Sequence, residues 1–291
     1  MPLRSFLFVP ADSERKLAKG VDSGADALIL DLEDAVAWSN KPQARRMASD
    51  WLGRQASAHG EGPRRFVRIN PLDSGLALED LAAVVQPGLD GLVLPKPTSA
   101  QDLLRLHHML EALEVRAGMA PASVGVMPVI TETPQAMLNM NTFSTPQPRV
   151  VAVTWGAEDL SAAIGAVSNR DDDGQFSPLY VWAQSLCLCV AASSGAVAID
   201  TLHANFRDSE GLAATCRQAR RRGFGGRIAI HPDQVATIND AFTPSEAELA
   251  HARRVVEAFA LNPDAGTLSL DGAMLDMPHL KQARRTLGLP A

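Results

Sequence analysis

Two short acidic signatures hold the side chains best suited to chemistry. Thr131-Glu132-Thr133-Pro134 follows the apolar run Val124 to Ile130, and Trp155-Gly156-Ala157-Glu158-Asp159 follows Val150 to Thr154. Each run reads as a buried strand, and each acid falls just beyond its carboxyl end, where barrels and open α/β sheets bind ligands. One carboxylate from each of two successive strand ends suits a hard divalent cation, which takes oxygen ligands. Glu132 and Asp159 are therefore the candidate metal ligands. Glu158 alone is an ordinary first-turn acid of the kind a helix dipole favours. Beside the pair it becomes a candidate supporting group.

Arg68 ends a third apolar strand, and its planar fork matches a carboxylate. The competing partner is internal: the acids Asp31, Glu33 and Asp34 close the preceding strand. These three are expected to orient Arg68 or a water on the metal. Gly156 and Ala157 are expected to offer backbone N–H groups at a helix N-terminus, an anion site. Arg68, Glu132, Gly156 and Ala157 thus form the candidate substrate-binding set. With a cation they suit a small 2-oxo or 2-hydroxy acid, chelated through its carboxylate and adjacent oxygen, the metal acting as Lewis acid and template. Arg4, Arg15, Lys16 and Lys19 read either as a basic rim for a phosphorylated ligand or as a solvated face. Lys96, between two prolines, reads as an ion-pair residue rather than a Schiff-base lysine. His203, His231 and His279 are isolated and read as structural.

These residues need a scaffold that brings many strand ends to one face. Strands are expected at Arg4 to Val9, Ala27 to Leu30, Arg65 to Ile69, Gly91 to Leu94, Val124 to Ile130, Val150 to Thr154, Val197 to Ile199 and Arg227 to Ile230. Helices are expected between them, among them Pro42 to Ala58, Ser99 to Arg116, Tyr180 to Ser193 and Ser209 to Arg222. Strands alternating with helices, each strand ending in polar residues, predict an α/β fold, a (β/α)8 TIM barrel over 1–240. A doubly wound sheet is the alternative. A C-terminal helical and hairpin extension, 241–291, follows: a helix from Ser245 to Ala260, a hairpin turning at Asp271-Gly272, and a short helix after Met277-Pro278. It is too short to carry a core of its own and is expected to pack on the barrel or on a neighbouring chain.

Composition agrees with a catalytic barrel. The chain has 291 residues, 46% hydrophobic and 21% charged, which supports a large core and excludes global disorder. A net charge of −6 argues against nucleic acid as a partner. No stretch is apolar enough for a membrane span, and the N-terminus lacks a signal-type apolar run, so a cytoplasmic protein without membrane association is expected. Cys187, Cys189 and Cys216 have no metal-type spacing and read as buried, reduced thiols.

The ordered set of motifs resembles the HpcH/HpaI aldolase and citrate lyase superfamily, and within it the CitE-like CoA-ester lyases. It comprises Arg4 to Pro10 (RSFLFVP), Leu30 to Val36 (LDLEDAV), Val67 to Asn70 (VRIN), Leu94 to Lys96 (LPK), Ile130 to Thr133 (ITET) and Trp155 to Leu160 (WGAEDL). The tail Ser269 to His279 (SLDGAMLDMPH) resembles the C-terminal segment of members acting on CoA esters. The resemblance implies a TIM barrel forming homotrimers or hexamers and using Mg²⁺. It implies that Glu132 and Asp159 bind the metal, that Arg68 binds substrate and stabilises an enolate oxygen, and that Asp276 is the acid/base, carried on a lid over a neighbouring subunit's site. The implied reaction cleaves a 3-hydroxyacyl-CoA to a 2-oxo acid or glyoxylate and an acyl-CoA. The alternatives are a class II aldolase on free 4-hydroxy-2-oxo acids, a citrate lyase beta subunit using an acyl-carrier-protein thioester, and a non-catalytic metal-binding relative.

Overall fold

The computed structural model describes residues 3–56 and 62–290. Eight parallel strands carry the first unit: β1 Ser5–Pro10, β2 Ala27–Asp31, β3 Arg64–Arg68, β4 Gly91–Leu94, β5 Gly125–Pro128, β6 Ala152–Thr154, β7 Val197–Asp200 and β8 Gly226–Ala229. Their order is β5-β4-β3-β2-β1-β8-β7-β6. Parallel bridges Val126↔Val150 and Val129↔Thr154 join the two outer strands, so the sheet closes on itself as a (β/α)8 barrel. The doubly wound alternative is thereby set aside.

Alternation along each strand explains the continuous apolar runs. Phe6, Ala27, Ile29, Phe66, Val93, Met127, Val129 and Ala152 pack together inside the barrel. Leu7, Leu28, Leu30, Val67, Leu92, Val126 and Val153, one residue out of phase, pack against the surrounding helices. Both faces are buried, as parallel barrel strands require. Gly91 is small because the Phe66 ring fills its place: a Cβ there would lie 2.4 Å from a ring carbon.

The helices are α1 Glu14–Val21, α2 Lys41–Gln55, α3 Ala77–Val84, α4 Ala100–Arg116, α5 Pro134–Leu138, α6 Ala157–Ile164, α7 Pro178–Ser194, α8 Ser209–Arg222 and α9 Val235–Phe242. Ser99 caps α4 and Asp208 caps α8 through their side chains. β6 is shorter than the sequence suggests: it spans Ala152–Thr154, and Val150 is joined to Val126 only by an isolated bridge. The end of the helix expected to reach Ala58 lies outside the described residues. Cys187 and Cys216 are buried, but Cys189 is exposed on α7, which corrects its expected burial.

The chain divides into two compact units between Phe242 and Thr243. The second contains α10 Glu246–Leu261, the antiparallel pair β9 Thr267–Leu270 and β10 Ala273–Asp276, and α11 Met277–Thr286. Ser245 and Glu248 form a capping box at the start of α10. Asp271 and Gly272 both take positive φ, 53° and 79°, as a tight two-residue hairpin demands. Ala252, Val255, Phe259, Leu275, Leu280 and Ala283 make a small core within this unit. The tail therefore has the apolar cluster that its length argued against.

Candidate active site

Register places the acids and Arg68 together. Asp31 ends β2 opposite Arg68, which ends β3. The two side chains meet in a paired fork, Asp31 Oδ1 2.7 Å from Nε and Oδ2 2.6 Å from Nη2. The Asp31 carboxylate also accepts the N–H groups of Glu33 at 2.9 Å and Ala35 at 3.0 Å. Arg68 Nη1 lies 2.9 Å from Glu33 Oε2, and the guanidinium sits over the Phe8 ring at 4.6 Å. The internal ion pair is thus formed. A guanidinium has five N–H donors, however, so the pair leaves donors for a ligand. Burial works against the charge of Arg68, but the hydrogen bonds and charge of Asp31, with Glu33 and Glu132 nearby, outweigh it and raise the pKa, so it stays charged.

Glu132 comes from the loop after β5. Thr133, not Glu132, caps α5 by accepting the Ala136 N–H at 3.0 Å, and Pro134 occupies the first turn. The carboxylate of Glu132 is left to enter the barrel mouth, where it is buried. Gly156 must be small to admit it: a Cβ there would lie 2.8 Å from Glu132 Cγ. Asp159 stands in the first turn of α6 and lines the same cavity of about 70 Å³, with Glu132, Arg68 and Phe8. Glu158 lines it too and accepts from Asn169 at 2.9 Å, which ties it to the 166–178 loop.

Lys96 binds the two acidic signatures together. Its backbone N–H donates to Glu132 Oε2 at 2.7 Å. Its ammonium lies 2.6 Å from Glu33, 3.1 Å from Asp34 and 3.1 Å from Asp159. The residue takes a left-handed φ of 52°, a conformation a non-glycine residue keeps only where its surroundings enforce it. The ion-pair role expected for Lys96 is observed, but its reach to Asp159 and Glu132 has no local sequence signal. It depends on barrel register across tens of residues.

One expectation at this edge is corrected. The Gly156 N–H donates to Thr131 Oγ1 at 3.0 Å, so it is not free for an anion. The donors at the start of α6 begin instead with Ala157, whose helix leaves its first N–H groups without intrahelical partners. The Trp155 indole donates to buried Asp200 at 2.8 Å and fixes the turn from below.

The mouth carries more negative charge than it neutralises. Among the described residues, Asp31, Glu33, Asp34, Glu132 and Asp159 converge on two cations, Arg68 and Lys96. Glu33 Oε2 is buried without a hydrogen bond, although Arg68 is near. Burial, then the charges of Asp159 and Glu33, pushes the Glu132 carboxyl well above the ordinary range. Burial raises Glu33 as well. An oxygen-rich site short of positive charge fits a hard divalent cation.

The same shift has a sign in pH. Glu132 is more protonated folded than unfolded, so its contribution is full below the unfolded value, about 4.3, and is lost as pH rises through the raised folded value. The melting temperature of metal-free protein should therefore fall as pH rises above the usual carboxylate range. Added divalent cation should restore it. Identical melting profiles with and without cation across that range would contradict this electrostatic account.

Beside the mouth runs a second, larger cleft of about 570 Å³, lined by Phe8, Arg15, Lys16, Lys19 and His231. Phe8 lines both spaces. Arg4 pairs instead with Asp26, at 2.8 Å, and does not line the cleft. His203 lies 3.4 Å from Asp208, and His231 accepts the Asp233 N–H. In the second unit Asp276 is the N-cap of α11 and lies 2.5 Å from His279 Nδ1. On α4, His107, His108 and Glu111 cluster, but Arg149 Nε donates to His107 Nδ1 at 2.8 Å.

An eight-stranded barrel with an acid-lined C-terminal mouth beside a basic-rimmed cleft defines a class of small-molecule enzyme scaffold. The HpcH/HpaI aldolase/citrate lyase family matches residues 4–232. The chain belongs to that family, which is one of lyases. It is 34% identical over 288 residues to a (3S)-malyl-CoA thioesterase of Cereibacter sphaeroides, covering 98% of this chain and 94% of the relative. It is 31% identical to citrate lyase subunit beta of Haemophilus influenzae, covering 98% and 95%. Among solved structures it is similar to protein CitE from Mycobacterium tuberculosis in complex with magnesium, acetoacetate and coenzyme A. That likeness has a TM-score of 0.78 and 32% identity, covering 99% of this chain and 97% of that one.

Proposed function

We propose that this protein is a Mg²⁺-dependent carbon–carbon lyase. It would cleave a 3-hydroxyacyl-CoA of the malyl, citramalyl or citryl type, reversibly, to glyoxylate or a 2-oxo acid and an acyl-CoA. The observation that carries the reading is the excess of buried carboxylates around Glu132 and Asp159, set beside Arg68. The likeness to a CitE structure holding magnesium, acetoacetate and coenzyme A supports it.

Glu132 and Asp159 would hold the cation, with Lys96 keeping both in place. The bound cation would supply Lewis acidity to the oxygen that becomes the carbonyl. Loss of the hydroxyl proton to a base lets that oxygen's electrons form the carbonyl as the C–C bond breaks. The bond pair passes into the thioester as an enolate, whose oxygen Arg68 stabilises with donors left over from Asp31. Asp276 would deliver a proton to the enolate carbon. The cleft flanked by Arg15, Lys16 and Lys19 suits the CoA phosphates, and Phe8 lies where cleft and mouth join. A class II aldolase on free oxo acids would have no use for that cleft. An acyl-carrier-protein thioester, as for a citrate lyase beta subunit, would use only part of it.

Asp276 would act from the second unit of a neighbouring copy, in a cytoplasmic trimer or hexamer. Asp276→Asn keeps a good N-cap while removing the acid/base, so the fold should survive. Alone it should lose turnover, and so should Arg68→Ala. Mixed oligomers of the two chains should regain activity at roughly a quarter of sites, by random assembly about symmetric interfaces. Full activity of Asp276→Asn would leave the residue as a helix cap only. Silent mixed oligomers would rule out sharing between subunits.

Hydrolysis of the thioester is the second reading, favoured by the 34% identity to a (3S)-malyl-CoA thioesterase. It would release free CoA and leave the hydroxy acid whole.

A further inference from the structure

The barrel interior is apolar until its last layer. Along β6, Ala152 packs inside with Phe6 and Met127, while Val153 faces outward. Thr154 therefore points inward again, one layer higher, at the level of the mouth. It lines the same small cavity as Arg68, Glu132 and Asp159. Val93, Val129 and Ile228 make the neighbouring wall. Thr154 is 3% exposed. Its hydroxyl oxygen is buried and has no hydrogen-bond partner among the described residues. Its carbonyl accepts the Ile130 N–H at 3.0 Å, so the backbone is fixed and the hydroxyl is what remains unsatisfied.

Nothing in packing calls for a hydroxyl there. Valine has the same shape and would suit the apolar wall better, and buried polar groups are nearly always paired. A hydroxyl held bare beside a guanidinium and a pair of carboxylates is poised for a ligand's polar atom. We infer that Thr154 is a substrate-positioning and specificity residue, whose hydroxyl hydrogen-bonds the 2-oxo acid fragment at the floor of the site. The inference rests on the lyase reading and deepens it. The cavity, about 70 Å³, opens at the barrel mouth and sets Thr154 among Arg68, Glu132 and Asp159, groups that suit the polar atoms of a short oxo acid. Arg68 and the cation would grip charged oxygens above, and Thr154 would fix the fragment's orientation from below. A site that pairs a ligand's polar atom in this way discriminates by leaving its own group unsatisfied when the wrong ligand enters.

Thr154→Val tests it, because it removes the hydroxyl and keeps the volume. Three quantities are read by calorimetry: the melting temperature without ligand, the Kd for Mg²⁺, and the Kd for glyoxylate, pyruvate and oxaloacetate with Mg²⁺ present. The expected result is unusual for a core substitution. The ligand-free variant melts at or above the wild-type temperature, since an unpaired buried polar group is gone. Mg²⁺ binding stays within about twofold of wild type. Affinity for the preferred oxo acid falls about tenfold, the scale of one hydrogen bond. Thr154→Ser, which restores a hydroxyl, recovers most of that loss. A valine variant that binds the oxo acids as tightly as wild type overturns the assignment alone. So does a valine variant that loses Mg²⁺ binding in parallel, which would make the effect structural. Wild type that binds no oxo acid with Mg²⁺ sinks the lyase reading and this assignment together.

Discussion

Glu132→Gln and Asp159→Asn should each remove Mg²⁺ binding and Mg²⁺-dependent turnover while leaving the barrel folded. The loss should exceed the roughly 100-fold that removing a mere supporting partner of a ligand costs. Glu132 is buried beside Asp159 and Glu33, and its charged form is disfavoured without a compensating cation. Glutamine relieves that penalty, and its carbonyl can still accept the Lys96 N–H that Glu132 Oε2 takes at 2.7 Å. Metal-free Glu132→Gln should therefore melt no lower than wild type, although it binds no Mg²⁺. That combination separates a ligand from a structural carboxylate. A structural carboxylate would show the reverse pattern, lower stability with metal affinity intact, and that result would remove Glu132 from the metal site.

Arg68→Lys should lower turnover by about 100-fold or more, the scale for losing one oxyanion donor. The change keeps the charge and loses the fork. Asp31 grips Arg68 through two parallel hydrogen bonds, at 2.7 and 2.6 Å. An ammonium has three donors and no plane, so it cannot hold Asp31 and Glu33 and still face a ligand at the same angle. The loss should fall mainly on kcat if Arg68 stabilises charge that develops only in the transition state. A variant within twofold of wild type would show that Arg68 serves only to pair with the acids of β2.

The alternation of strands and helices, with acids at strand ends, was enough to expect a barrel and to nominate Glu132, Asp159 and Arg68. Those signals are local: an apolar run, a polar end, then a helix start. What stayed hidden depends on which strand ends become neighbours. Lys96 touches both acidic signatures because β4 lies next to β5 and β5 meets the β6 segment where the sheet closes, a fact of register and not of spacing. The Gly156 N–H was expected to be free, yet Thr131 from the neighbouring strand end takes it. A threonine after a strand is too ordinary in sequence to signal that contact. Met277-Pro278 marks the start of a short helix in the sequence, and the structure places Asp276 at its N-cap. The acid/base role proposed for it comes from the resemblance. The small core of the second unit has no single sequence signal, because its six side chains come from a helix, a hairpin and a second helix.

The central claim is that the carboxylates at the barrel mouth serve carbon–carbon cleavage. It is tested most directly by product analysis of the purified protein. Malyl-, citramalyl- and citryl-CoA are each incubated with Mg²⁺, and the mixture is followed by proton NMR and mass spectrometry. The account predicts that at least one ester yields acetyl-CoA and its oxo acid or glyoxylate in equal amounts before any free CoA appears, and that EDTA stops the reaction. Release of free CoA with an intact hydroxy acid would contradict it in favour of hydrolysis, and cleavage that persists in EDTA would contradict the role given to Glu132 and Asp159.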